Sequence, residues 1–189
     1  MPNGSSAAQA GPMTADEFIP WAMDQGRDRY ELDAGRVVAM APERAVHAEA
    51  KLAATVALHA AVRAAGLDCW TFADGMAVRI DEGTVYEPDA SVRCGARLPP
   101  DATEFSDPVV VVEVVSPSSK SIDSGRKLRE YFRLPSVAHY LVIVTDTRVV
   151  IHHRRTGPDA IETRVMPGGT LVLDPPGLRV AATDMLPPA

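Results

Sequence analysis

The chain has 189 residues, 46% hydrophobic and 23% charged, enough apolar material for the core of one ordinary globular domain. Its formal charge of −6 supplies no global basic field of the kind that advertises nucleic-acid binding, although a cleft in such a protein can still be locally basic. The longest apolar runs are far too short to span a bilayer, and the N-terminus shows no basic segment followed by an apolar one, so a cytoplasmic protein without a membrane span is expected.

Residues 1–12, MPNGSSAAQAGP, read as a disordered tail, and 13–189 as a single domain. Thr14 followed by Glu17 is a capping-box pattern opening a helix that carries Phe18, Ile19, Trp21 and Ala22. Tyr30 to Met40 reads as a hairpin turning at Asp33–Gly35. From Glu43 to Ala65 the chain is alanine-rich, free of Gly and Pro, and closed by Gly66, which predicts a long helix. Strands are expected over 69–74, 76–81 and 85–93, then a proline-bearing loop over 97–108. Strand 109–115 precedes a Ser-Pro-Ser-Ser turn. A helix over about 122–134, burying Leu128, Tyr131 and Phe132, leads into strand 139–144 and its hairpin partner 148–153. Short strands near 161–166 and 170–173 complete a mixed sheet with helices packed against it, an α+β arrangement. Cys69 and Cys94 are not in a metal-type spacing and are expected as reduced structural thiols.

Two carboxylates stand out. Glu113 lies inside Val109–Val115, a run that reads as a strand buried on both faces, and Asp89 lies in the middle of the run 86–92. An unpaired ionised carboxylate in such a place costs several kcal/mol, so a cation, a hydrogen-bond network or a metal must compensate it. If the two strands are neighbours, Asp89, Glu113 and a backbone carbonyl such as that of Val114 form a hard oxygen site suited to Mg²⁺ or Mn²⁺. The following helix carries Arg126, Lys127, Arg129 and Arg133, with Lys120 ahead of it, and reads as locally basic. Lys127, four residues before Tyr131 on one face, is placed to stabilise charge at a phosphate.

These residues resemble a known family. Pro88-Asp89, Val112-Glu113-Val114-Val115-Ser116-Pro117-Ser118-Ser119, and Asp123 with Lys127 and Tyr131 are similar to the pattern of the Uma-two family of endonucleases, itself similar to the PD-(D/E)XK restriction-endonuclease-like superfamily. Thr14 to Phe18, Tyr30-Glu31-Leu32, Gly35 with Val37-Val38, Met40-Ala41-Pro42 and His47 fit the same pattern, so the resemblance covers about 13–186. It implies a restriction-endonuclease-like core and a metal-dependent nuclease acting on DNA. Asp89 and Glu113 are then the metal ligands, Lys127 is the basic member, and Glu31, His47 and Tyr131 border the site. Val115 stands where the superfamily carries a strand lysine, so either Lys127 or Lys120 substitutes or hydrolytic activity is weak or absent. Cutting both strands of a duplex favours a homodimer.

Other readings remain. The same scaffold without activity would bind nucleic acid or protein, and a metal-dependent hydrolase could take a small phosphorylated substrate. Glu113 could be held by a purely structural ion pair with Lys127, Asp89 could merely begin a strand, and Lys127 could pair along its helix with Asp123. His152-His153-Arg154-Arg155 looks like a ligand patch, yet adjacent strand residues point to opposite faces and cannot easily share one ion. No Gly-x-Ser-x-Gly elbow or phosphate-binding glycine loop is present, and neither cysteine has an activating neighbourhood in sequence.

Overall fold

The computed structural model describes residues 11–26, 28–115 and 123–187, without the side chains of 123 and 124. All of the expected tail but Gly11 and Pro12 lies outside these, as do the Ser-Pro-Ser-Ser turn, Lys120 and any Asp123–Lys127 pair.

Helix α1, Ala15–Asp24, begins where the capping box predicts: the Thr14 N–H donates to Glu17 Oε2 at 2.9 Å and the Glu17 N–H returns to Thr14 Oγ1 at 3.4 Å. Strands β1 (Tyr30–Asp33) and β2 (Arg36–Ala39) form the hairpin in the register Tyr30↔Ala39. The turn needs a glycine: Gly35 sits at φ 79°, and a Cβ there would lie 2.7 Å from Cβ of Pro12. Helix α2, Ala45–Ala65, ends on left-handed Gly66 and buries Ala50, Ala54, Leu58 and Val62, one stripe at four-residue spacing.

Next come β3 (Cys69–Ala73), β4 (Ala77–Asp81), β5 (Thr84–Tyr86), β6 (Ala90–Cys94), the two-residue β7 (Glu104–Phe105) and β8 (Val110–Val115). Helix α3 (Asp123–Tyr131) leads to β9 (His139–Val144), β10 (Val149–Gly157), β11 (Ala160–Met166), β12 (Thr170–Leu173), β13 (Leu178–Ala181) and a short 3-10 helix, Ala182–Met185. They build a six-stranded sheet ordered β11-β10-β9-β8-β6-β3, a five-stranded sheet ordered β2-β1-β5-β4-β7, and the β12-β13 pair. Pairing is antiparallel except for β8 with β9 and β4 with β7.

Side chains of β8 alternate between two cores. Val110, Val112 and Val114 join the α2 stripe, whereas Val111 joins Tyr86, Tyr131, Tyr140 and Val142 on the other face. Glu113 shares the parity of Val111, so it points toward α3 and the five-stranded sheet. Helix α1 closes the outer side of that sheet with Ala15 and Phe18 against Leu32 and Val85.

Four expectations are corrected. The strand expected over 85–93 is two strands in different sheets, because Pro88 has no N–H for a ladder and the chain crosses over at 87–89. Asp89 is therefore not mid-strand but sits at the crossover, its N–H bonded to the Val112 carbonyl at 3.0 Å. The cysteines are a disulfide instead of free thiols, since antiparallel pairing of β3 with β6 sets Cys69 opposite Cys94. The 97–108 loop contains β7, held by Arg79 gripping Glu104 with two bonds of 2.7 Å. Strand β13 was not foreseen between Pro175-Pro176-Gly177 and the C-terminus.

The two neighbouring histidines behave as strand alternation requires. His153 stacks on Tyr140 at 5.7 Å, while His152 turns to the opposite face and meets buried His139, Nδ1 of His139 lying 2.9 Å from Nε2 of His152. His139 Nε2 donates to the Pro175 carbonyl at 2.9 Å, so its Nδ1 is the acceptor and His152 Nε2 carries the other proton. Burial pushes both down to about 4, with Arg154 opposing the charge of each. Their ordinary value in an unfolded chain is near 6.5, so the unfolded state takes up more protons below that pH and stability falls as pH drops toward 4. His152→Gln should therefore reduce the loss of unfolding free energy between pH 6.5 and 5 by roughly 1–2 kcal/mol relative to wild type. Urea titrations at the two pH values measure it, and identical slopes would show that the pair does not titrate with folding.

Candidate active site

Glu113 enters the space between the two sheets from β8, and Lys127 enters it from α3. The Lys127 ammonium lies 3.1 and 3.2 Å from the Glu113 oxygens and 2.9 Å from Oε1 of Glu31, which comes from β1. Tyr131, one turn after Lys127 and fully buried, donates to Glu113 Oε1 at 2.8 Å. The ring of Tyr86 lies 5.3 Å from the ammonium, and its hydroxyl donates to Asp33 at 2.9 Å. Glu31 also accepts the Glu87 N–H at 3.0 Å, which ties the hairpin to the crossover.

Asp89 faces this group across the strand end. Its Oδ2 accepts the Val114 N–H at 2.6 Å, and its Oδ1 lies 2.7 Å from the ammonium of Lys51 on α2. Lys51 also binds Asp74 Oδ2 at 2.8 Å and pairs with Glu43, while Asp74 and Glu87 are held by Arg29 at 2.6 Å each. Among the described residues, three cations, Arg29, Lys51 and Lys127, pair with six carboxylates: Glu31, Glu43, Asp74, Glu87, Asp89 and Glu113.

Glu113 combines deep burial with acidic neighbours. Burial is the main force raising its proton affinity, the Asp89 and Glu31 charges add to it, and Lys127 only partly opposes it, so the carboxyl is pushed up to about 8. Burial and the Glu113 charge likewise hold Tyr131 well above the ordinary tyrosine range, so its hydroxyl is a donor throughout.

Asp89, Glu113, Lys127, Glu31 and Tyr131 are thus brought into one cluster through Val114, whose backbone joins the two acids. His47 is not joined to them by any hydrogen bond to its Nε2, which is enclosed without a partner among the described residues, one turn before Lys51. The expected basic character of this segment is reduced by acidic partners: Arg126 of α3 pairs with Asp33, and Arg133, just past the end of α3, pairs with Glu130 of α3 and with Asp81. Sequence reading missed Lys51, Asp74, Glu43, Arg29 and Glu87. One signal was available, since Lys51 falls on the buried stripe of α2 between Ala50 and Ala54, where a lone lysine requires a partner.

A mixed sheet flanked by helices, with acids and a lysine gathered at its strand ends, defines a restriction-endonuclease-like α+β protein. The chain belongs to the Uma2 family, described as "Putative restriction endonuclease", which it matches over residues 15–186. It is 26% identical over 181 residues to the uncharacterized protein slr1290 of Synechocystis sp., spanning 94% of this chain and 93% of that one. Its fold is shared with the crystal structure of a "putative nuclease belonging to DUF820" from Anabaena variabilis, at a TM-score of 0.74 and 18% identity over 92% of this chain and 97% of that one. Among the described residues, no helix is long and apolar enough to cross a membrane.

Proposed function

We propose that the protein is an endonuclease that hydrolyses DNA phosphodiester bonds with Mg²⁺ or Mn²⁺, acting as a homodimer on duplex substrate. The observation that carries this reading is the convergence of Asp89, Glu113 and Lys127 in one under-neutralised cluster. The donor set fits a hard divalent cation: it is made of carboxylate oxygens, and among the described residues its acids outnumber the cations paired with them. Asp89 and Glu113, with the carbonyl of Val114, would hold the ion. When bound, such an ion polarises a phosphodiester and makes a water nucleophilic at neutral pH.

The chain's own groups do the rest. Val114 N–H orients Asp89, and Tyr131 orients Glu113 by donating to one oxygen. Lys127 supplies positive charge beside Glu113, the place where a strand lysine is missing because Val115 occupies it. Glu31 and the Tyr86 ring fix the ammonium from below, so its position does not depend on Glu113 alone.

Val115 is also the observation that favours a second reading, a nuclease-like module that binds nucleic acid or protein without cutting. Plasmid nicking separates the two. Cleavage that needs Mg²⁺ or Mn²⁺ and stops with a chelator is the expected result. Absence of metal-dependent cleavage by wild type across several DNA substrates would leave the non-catalytic module.

A further inference from the structure

Lys51 is an expensive residue in its place. It lies on the buried stripe of α2 with 8% of its surface exposed, where the helix otherwise carries Ala50, Ala54 and Leu58. Burying an ammonium costs several kcal/mol before its partners compensate, and an apolar side chain would pack there without that cost. Its partners are unequal in kind. Asp89 Oδ2 is committed to the Val114 N–H, and Oδ1, the oxygen left for an ion, is the one Lys51 holds at 2.7 Å. Asp74 and Glu43 hold the same ammonium, Asp74 at 2.8 Å, with oxygens of all three acids within 4.8 Å of one another. An ammonium with three carboxylate partners can release one and remain paired.

We infer that Lys51 is the resident counter-ion of Asp89: it holds the carboxylate in the ion-free protein and passes onto Asp74 and Glu43 when a divalent cation binds. The inference rests on the proposal that Asp89 is a metal ligand, and it makes Lys51 a positioning residue. Two consequences follow from charge alone. Asp89 is kept in its binding orientation while no ion is present, which lowers the reorganisation needed when one arrives. The ion must also displace or share an existing positive charge, so affinity is set by competition and not by the carboxylates alone.

Calorimetric titration of Mn²⁺ into wild type, Lys51→Met and Lys51→Arg tests this without any cleavage readout. Lys51→Met should bind at least about tenfold more tightly than wild type, the effect of removing one unit charge from a partly screened site. Lys51→Arg, which keeps the charge, should stay close to wild type. The variant that loses the charge should melt lower than wild type without the ion and recover with it. In case Lys51→Met does not fold, the ¹⁵N signal of the Lys51 ammonium in the wild-type protein, assigned by its loss in Lys51→Arg, should shift on saturation with Mg²⁺. Wild-type binding with no tightening in Lys51→Met, or an ammonium signal unmoved at saturation, overturns the inference and leaves the metal reading standing. No Mn²⁺ binding by wild type or by either variant overturns both.

Discussion

Glu113→Gln should abolish metal-dependent cleavage, a loss of at least about a thousandfold, while changing folding stability at pH 5 by no more than about 1–2 kcal/mol. The combination is what distinguishes a ligand from a structural ion pair. Glutamine keeps the shape and an oxygen for the Tyr131 hydroxyl, and Lys127 retains Glu31 at 2.9 Å, so no buried cation is stranded. It also removes a charge that burial and the Asp89 and Glu31 carboxylates already disfavour. The sign of the pH dependence follows. A carboxyl pushed up to about 8 from an unfolded value near 4.5 contributes stability that is complete below the unfolded value and lost as pH rises through 8. Wild type should therefore lose stability relative to Glu113→Gln between those limits. Denaturant melts at pH 5 and 8, set beside plasmid nicking, give both numbers. A variant that cleaves normally but unfolds easily would make Glu113 a structural group.

Lys127→Met should differ in putting the fold itself at risk. Its ammonium stands between Glu31 and Glu113, both less than a tenth exposed. At pH 8, where Glu113 begins to ionise, removing the ammonium leaves buried carboxylates without this counter-charge, at up to about 3–5 kcal/mol, a large part of the stability of a domain this size, and the loss should shrink toward pH 5. The double variant Lys127→Met/Glu113→Gln should recover part of that loss, because one stranded charge is then gone. Urea midpoints of the two single variants and the double variant measure the coupling. A Lys127→Met midpoint at pH 8 within about 0.5 kcal/mol of wild type would mean that the buried acids do not depend on this cation. Nicking by the same variant is expected to be lost, since Val115 offers no substitute charge.

Much of this architecture is legible from residues close together in the chain. The capping box at Thr14 and Glu17 appears where it is read, because both partners lie within one turn. Helix α2 starts two residues later than expected and ends at Ala65 as read, its composition and terminal Gly66 being local facts. Strand β8 and its buried Glu113 follow from a valine run that only a strand buried on both faces accommodates. The split of 85–93 was signalled by Pro88, although the identity of each half's new neighbours was not.

What local pattern does not reach is the partner of each charge. Lys127 and Glu31 are 96 residues apart, and Lys51 meets Asp89 only because α2 crosses the strand ends where the chain changes sheets. The disulfide depends on the β3–β6 register and the histidine pair on β9 lying beside β10, both products of sheet pairing. The valine run alone makes Glu113 a buried group in need of compensation, since hydrophobic burial of a strand follows from its composition. Packing selected the groups that compensate it. It set Lys127, Glu31 and Tyr131 on one side, turned Lys51 onto Asp89 on the other, and left their summed charge negative, because the positions of charges in space depend on how whole elements pack.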